Sequence, residues 1–147
     1  MNPEPLITEL RLPTRLGFEK VAMNTAASVA ELMGFTLDRV EDLKTAVAEA
    51  CINAIEHGNH LDEELAVVVT LSMGVASLEV KIQDEGPGVP PGSLHVPDID
   101  RKISGEETPR GMGMFLIQAL VDEVEYGREP AGSYARLVIH LHPEKRE

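Results

Sequence analysis

The chain has a single cysteine, no long apolar run and a shortage of basic residues. Because Cys51 is the only cysteine, neither an intrachain disulfide nor a multi-cysteine metal site can form within the chain. This suits a reducing compartment, and we expect Cys51 to pack in the core. No basic region leads into an apolar stretch at the N-terminus, and no apolar run approaches the roughly 20 residues of a membrane helix. We therefore expect a soluble, cytoplasmic protein that does not enter a membrane.

Acidic residues outnumber basic ones. The 13 Lys and Arg residues against 25 Asp and Glu residues give a formal net charge of -12. Such a charge repels nucleic-acid phosphates, and no block rich in Lys or Arg offsets it locally, so direct binding of DNA or RNA is not expected. A nucleotide bound to so acidic a chain would need a cation and a few well-aimed donors, which implies Mg²⁺.

The apolar pattern changes repeatedly between strand and helix periodicity, which predicts an α/β fold. Predicted strands cover 6–12, 65–73, 77–84, 122–126 and 133–141, and predicted helices cover 18–32, 36–58 and 112–121. Thr14 is expected to cap the first helix and Gly34 to end it. The 147 residues, 43% of them hydrophobic, suit one compact domain over residues 1–147.

The second predicted helix carries the first set of candidate site residues. Glu49, Asn53 and His57 are spaced i, i+4, i+8 and project from one face, beside the apolar stripe. An Asn carbonyl is a good ligand for Mg²⁺, and a carboxylate one turn away could take a proton from an attacking hydroxyl, which suits phosphoryl transfer. The alternative is a solvated helix edge, in which His57 complements the helix dipole and is a neighbour of the pocket at most.

Asp84 is the second candidate. Strict alternation from residue 78 places its carboxylate on the core side of the predicted strand, where a charge must find partners. The exocyclic amine of adenine is a suitable one. Gly86 and Gly88 allow the backbone to approach a ligand closely, although an acid followed by glycines is also an ordinary turn at a strand end.

The third candidate follows a long stretch, residues 85–110, that is rich in Gly and Pro and has no periodicity. Loops of that length are usually functional or mobile. Gly111-Met112-Gly113 opens the next helix, whose free N–H groups would attract phosphate oxygens. Three cations could reach a γ-phosphate or remain solvated: Arg101, Lys102 and Arg110. No P-loop sequence occurs, and the third glycine of a dinucleotide fingerprint is missing.

Together these segments resemble the Bergerat ATP-binding fold, which gyrase, Hsp90, histidine kinases and MutL share (the GHKL superfamily). The segments are the helix with Glu49 and Asn53, the Asp84-x-Gly86-x-Gly88 segment and the Gly111-x-Gly113 segment. Within that superfamily the chain most resembles the stand-alone anti-sigma-factor serine/threonine kinases of bacterial stress response and sporulation. The resemblance implies a two-layer α/β sandwich, with a mixed, largely antiparallel sheet covered on one face by helices.

The resemblance also implies a role for each matching residue, with ATP and Mg²⁺ as cofactors. Glu49 would be the general base, Asn53 would bind Mg²⁺, Asp84 would accept from the adenine amine, and residues 90–110 would form a lid. The other residues implied at the nucleotide are His57, Gly86, Gly88, Arg110, Gly111, Met112, Gly113 and Met114. Methionines stand at 112 and 114 where leucines are frequent in the family, and Ser133 replaces a frequent threonine.

The implied substrate is a serine or threonine hydroxyl on a small anti-sigma-factor antagonist of the STAS type. Its phosphorylation would free the kinase to hold a sigma factor inactive, and family members commonly form homodimers. A histidine kinase would need an upstream phosphoacceptor histidine, which residues 1–56 do not contain. An ATP-dependent clamp normally uses additional domains. A non-catalytic, nucleotide-dependent binding module of the same fold remains the alternative.

Overall fold

The computed structural model describes residues 4–86 and 110–141. Five strands form there: β1 (Leu6–Pro13), β2 (Ala66–Met73), β3 (Ser77–Gln83), β4 (Glu123–Glu129) and β5 (Gly132–His140). Three α-helices accompany them: α1 (Glu19–Met33), α2 (Leu37–Asn53) and α3 (Arg110–Leu120). A π-helical turn, Ala54–Gly58, continues α2 and is called the wide turn below.

The strands form one sheet in the order β1-β2-β3-β5-β4, and every pairing among the described strands is antiparallel. The central register places Val69 opposite Ile82, and Val80 opposite Leu137. These side chains point to the same face because residues two apart along a strand share a face. The predicted α/β class with a largely antiparallel sheet is therefore confirmed.

The helices pack against that face of the sheet and form the core with it. Buried core residues of the helices include Leu43, Val47 and Ile55, and those of the sheet include Val67, Leu78 and Ile139. The opposite face carries ion pairs, with Arg136 Nε 2.6 Å from Glu79 Oε1. An apolar face against helices and a charged face toward water are what the alternating strand pattern predicts.

Cys51 lies inside this core, as expected. Its side chain is buried. Burial, with a smaller contribution from the negative charge of Glu19, raises the pKa of the thiol to about 12. The thiol therefore stays protonated near neutral pH and acts as a small apolar side chain.

The predicted helix cap at Thr14 is wrong. Helix α1 begins at Glu19, and its N-cap position, Phe18, makes no side-chain capping bond. The Thr14 hydroxyl instead donates to the Leu65 carbonyl oxygen (2.7 Å) and accepts from Asn59 Nδ2 (2.9 Å). A turn at residues 15–18 separates Thr14 from the helix, so its hydroxyl is used by the neighbouring chain segments.

Other predicted ends of helices and strands agree better with the structure. Gly34 ends α1 with φ of 93°, and Thr36 caps α2 by accepting from the Arg39 N–H at 3.3 Å. The last two strands differ from the predicted ranges 122–126 and 133–141. Strand β4 covers Glu123–Glu129 and is longer than predicted, and β5 covers Gly132–His140 and is displaced by one residue. No helix in the described ranges is both long and apolar enough to cross a membrane.

Some predictions fall elsewhere in the chain. Gly88, Arg101, Lys102 and all of the predicted lid before Arg110 lie outside the described residues. That residues 1–147 form one domain therefore stays a prediction.

The core assignment predicts unequal effects for one substitution at two leucines. Leu43→Ala should lower the free energy of unfolding by about 2–5 kcal/mol, because Leu43 is fully buried and its loss leaves a cavity. Leu32→Ala is the control: Leu32 is 80% exposed, and its truncation should change stability by less than about 0.5 kcal/mol. Urea unfolding measures both, and equal losses would contradict the described core.

Candidate functional site

Helices α2 and α3 bring Glu49, Asn53 and Gly113 together. Glu49 and Asn53 lie one turn apart on α2, and Gly113 is in the first turn of α3. A methyl group placed on Gly113 would lie 2.7 Å from Glu49 Oε2 and 3.7 Å from Asn53 Nδ2. The end of the Glu49 side chain therefore occupies the space that a side chain at position 113 would enter. Residues from two of the three predicted segments thus meet.

The wide turn alters the predicted alignment on α2. The spacing of an α-helix holds through Asn53, but the Asn59 N–H bonds to the Ala54 carbonyl oxygen at 2.8 Å, a π-type bond. The predicted i, i+4, i+8 face therefore does not extend to His57 as a continuous α-helical face. His57 nevertheless lines the same pocket as Asn53.

Asp84 follows β3 and is only 6% exposed, on the core side that the alternation predicts. Its Oδ1 accepts from the Ser133 N–H (3.0 Å) and the Gly86 N–H (3.2 Å). Its own N–H donates to the Ser133 carbonyl oxygen at 2.9 Å. Two amide donors thus hold one oxygen of the carboxylate in place and offset part of the cost of its burial.

Glycines surround Asp84 at contact distance. A methyl group on Gly58 would overlap Asp84 Oδ2, one on Gly86 would overlap the Gly58 carbonyl oxygen, and one on Gly132 would overlap the Asp84 carbonyl oxygen. The end of α2, the end of β3 and the start of β5 are therefore packed backbone to backbone. Gly86 was predicted at the site, whereas Gly58 and Gly132 were not.

A pocket of about 680 Å³, part of it open to solvent, lies between α2, α3 and the sheet. Its apolar lining comprises Ala50, Ala54, Ile82, Met114, Ile117 and Ala135. Its other lining residues are Asn53, His57, Gly58, Asp84, Tyr126, Gly127, Ser133 and Tyr134. Apolar walls that carry a few polar groups are typical of small-molecule binding sites.

None of the five lining residues on β4 and β5 was among the predicted site residues: Tyr126, Gly127, Ser133, Tyr134 and Ala135. Tyr134 lies against Gly127 on the neighbouring strand, so that a methyl on Gly127 would be 2.5 Å from the Tyr134 hydroxyl oxygen. The pKa of the Tyr134 hydroxyl is raised, mainly by loss of hydration and secondly by the negative charge of Glu125. No local motif marks these residues, because strand pairing alone brings them to the pocket.

The structure places most of the predicted site residues at or beside this pocket. Asn53, His57, Asp84 and Met114 line it, and Glu49 and Gly113 are the sequence neighbours of two lining residues, Ala50 and Met114. Arg110 and Gly111 are in the first turn of α3. The side chains of Arg110 and Met112 are outside what the structure describes, as is Gly88.

Comparison with known proteins identifies the family. The model of the histidine kinase-like ATPase domain matches residues 13–139. The chain belongs to this family. The resemblance to the GHKL superfamily that the three segments indicate is therefore confirmed.

Curated relatives show which named members of the family the chain is similar to in sequence. The chain is 33% identical over 127 residues to the serine-protein kinase RsbW of Bacillus subtilis (strain 168), an alignment that covers 79% of this chain and 74% of the relative. It is 30% identical over 132 residues to the serine-protein kinase RsbW of Halalkalibacterium halodurans, with coverage of 83% and 76%. Identity and coverage at this level place the chain among RsbW-type members of the family.

A solved structure supports the fold. The crystal structure of the RsbU and RsbW domains of a Mycobacterium tuberculosis protein superimposes with a TM-score of 0.66 at 17% identity. The match covers 92% of this chain and 32% of that longer chain. At this identity the likeness shows a shared fold.

The packing around Asp84 predicts a site-specific effect of one methyl group. Gly58→Ala should displace the Asp84 carboxylate, lowering the free energy of unfolding by about 1–3 kcal/mol and weakening ATP binding about tenfold or more. Thermal unfolding and calorimetric titration with ATP measure the two effects.

Gly74→Ala is the control for that substitution. Gly74 lies in the β2–β3 hairpin, where a new methyl would be 3.3 Å from the Ser77 carbonyl oxygen and far from the pocket residues in the fold. It should leave ATP affinity unchanged. If Gly58→Ala binds ATP as tightly as Gly74→Ala, the described contact between the wide turn and Asp84 is wrong.

Proposed function

We propose that this chain is an ATP-dependent anti-sigma-factor serine/threonine kinase. It phosphorylates a small antagonist protein of the STAS type, and by exchanging that partner it holds a sigma factor inactive. The observation that carries the proposal is the meeting of Glu49 and Asn53 with Gly113 beside a pocket that ends at the buried Asp84. The relatives' names, serine-protein kinase RsbW, support the same activity. Homodimer formation rests on the family resemblance alone.

The nucleotide is proposed to lie with its base at Asp84 and its phosphates at the start of α3. Asp84 Oδ1 is already held by two amide donors, and Oδ2 lies at Gly58, which also lines the pocket. The exocyclic amine of adenine can donate a hydrogen bond to this carboxylate. At the other end, the first turn of α3 has N–H groups without partners inside the helix, which favour phosphate oxygens.

The donor atoms beside Gly113 suit Mg²⁺. Asn53 has an amide oxygen, a hard ligand of the kind Mg²⁺ prefers, and the Glu49 carboxylate is one turn away. In the described ranges no cluster of three His, Cys, Asp or Glu side chains could hold a metal alone. The proposed site therefore uses Asn53 together with phosphate oxygens of the nucleotide. Bound there, Mg²⁺ would offset the negative charge of the phosphates.

Glu49 is proposed to act as the general base. The oxygen of the substrate hydroxyl forms a bond to the γ-phosphorus, the bond from that phosphorus to the ADP oxygen breaks, and Glu49 takes the hydroxyl proton. Its carboxylate lies close to Gly113, in the first turn of α3. Catalysis then depends mainly on positioning and charge neutralisation, as is usual for phosphoryl transfer.

The proposal predicts transfer to a partner that Glu49→Gln abolishes. The wild-type protein is incubated with lysate of its source cells and Mg-ATP or Mg-ADP, and every small protein that it retains is examined by intact mass. One retained protein should gain one phosphoryl group with ATP only. Glu49→Gln should keep ATP affinity within about twofold and lose transfer by a factor on the order of 10²–10⁴.

Glu41→Gln is the matched control. Glu41 is on the same helix, but its carboxylate is exposed and 3.4 Å from Lys44 Nζ. This variant should transfer phosphate at the wild-type rate. Equal rates in wild type and Glu49→Gln would contradict the role of Glu49. Nucleotide-dependent retention of a partner with no change in its mass would instead favour the non-catalytic binding module.

A further inference from the structure

A buried asparagine directly after the wide turn ties three backbone segments together. Asn59 is 1% exposed, and its side-chain amide has partners on both of its polar atoms. Nδ2 donates to Thr14 Oγ1 (2.9 Å) and to the Ala66 carbonyl oxygen (3.0 Å). Oδ1 accepts from the Glu85 N–H at 2.8 Å. One side chain thus bonds to residues beside the ends of β1 and β3 and to the first residue of β2.

The bond to Glu85 reaches the residue next to Asp84. Asn59 itself follows Gly58, whose Cα lies against Asp84 Oδ2 and whose carbonyl oxygen lies against Gly86. The position of Asp84 relative to α2 is therefore set at two adjacent points: the contact of Gly58 with the carboxylate, and the hydrogen bond that Asn59 Oδ1 accepts from the Glu85 N–H.

The chain after Asn59 is strained. His60 and Leu61 have φ of 52° and 61°, in the left-handed region that residues other than glycine rarely adopt. Two such residues in succession persist only where surrounding contacts hold them. The contacts here are the Leu61 N–H to the Ile55 carbonyl oxygen (2.9 Å) and the Asp62 N–H to the Asn59 carbonyl oxygen (3.0 Å). The turn between α2 and β2 thus carries backbone strain directly after Asn59.

We propose that Asn59 is a positioning residue for the nucleotide: its amide oxygen holds the Glu85 N–H and thereby keeps Asp84 at the base-binding end of the pocket. This inference rests on the proposed nucleotide site and goes beyond it, because Asn59 is outside the pocket lining and acts through Asp84. Asn59 affects binding of the base and leaves the Glu49 side of the site, where phosphate is transferred, unchanged.

The test compares three variants that damage the same network differently. Asn59→Ala removes all three hydrogen bonds. Asn59→Asp loses both donated bonds but keeps an acceptor for the Glu85 N–H. Thr14→Val breaks the network on the side away from Asp84 and leaves the bond to Glu85 intact. For each variant, thermal unfolding gives stability and calorimetric titration gives ATP affinity. Steady-state phosphate transfer to the partner protein that the intact-mass experiment identifies gives kcat and KM for ATP.

All three variants should be less stable than wild type, but only Asn59→Ala should bind ATP about tenfold more weakly, the effect of losing one buried hydrogen bond. Its KM for ATP should rise by the same factor while kcat stays within about twofold. Asn59→Asp and Thr14→Val should keep wild-type affinity. If Asn59→Ala does not fold, Asn59→Ser, whose hydroxyl is too short to reach the Glu85 amide, takes its place with the same expectation.

Two results would overturn this role. Wild-type affinity in Asn59→Ala or Asn59→Ser would show that the bond to Glu85 does not position Asp84. Affinity that falls in step with stability across all variants, Thr14→Val included, would show that Asn59 only stabilises the fold. Failure of the wild-type protein to bind ATP at all would instead refute the proposed function on which this role rests.

Discussion

The burial of one carboxylate, Asp84, constrains this whole end of the molecule. A carboxyl side chain that is only 6% exposed needs hydrogen-bond partners, and the backbone N–H groups of Ser133 and Gly86 donate to Asp84. The end of β3 and the start of β5 approach within backbone contact to supply those donors, and the wide turn packs against Asp84 and Gly86. Gly58, Gly86 and Gly132 permit that approach, and a methyl group on any of them would overlap a neighbouring atom.

The opposite end of the pocket depends on a second close contact, between α2 and α3. The Glu49 carboxylate and the Asn53 amide both lie near Gly113, in the first turn of α3. The pocket thus has the Asp84 carboxylate at the end proposed for the base and the Asn53 amide, with Glu49 one turn away, at the end proposed for the phosphates. Helix α2 contributes to both ends, so its continuation through the wide turn fixes the distance between them.

Sequence patterns predict the fold and the core of the site, but they miss what tertiary contacts decide. Strand alternation correctly places Asp84 on the core side, and helical spacing correctly pairs Glu49 with Asn53. The Thr14 cap is wrong because the hydroxyl finds partners at Asn59 and Leu65, which are distant in sequence. The wide turn, Tyr126 and Tyr134 have no local signature, since a π-type bond and a strand register place them. In the sequence Asn59 looks like an ordinary residue after a helix end, because tertiary contacts with Thr14, Ala66 and Glu85 decide its role.

The most direct test of the proposed site is to compare the affinities of the wild-type protein for Mg-ATP and for the triphosphate of purine riboside, which lacks the amine on carbon 6. If Asp84 accepts from that amine, the deaminated nucleotide should bind about tenfold or more weakly, because its loss leaves a buried carboxylate oxygen without that donor. In Asp84→Asn the difference between the two nucleotides should shrink. Equal affinities in the wild-type protein would contradict the placement of the base at Asp84.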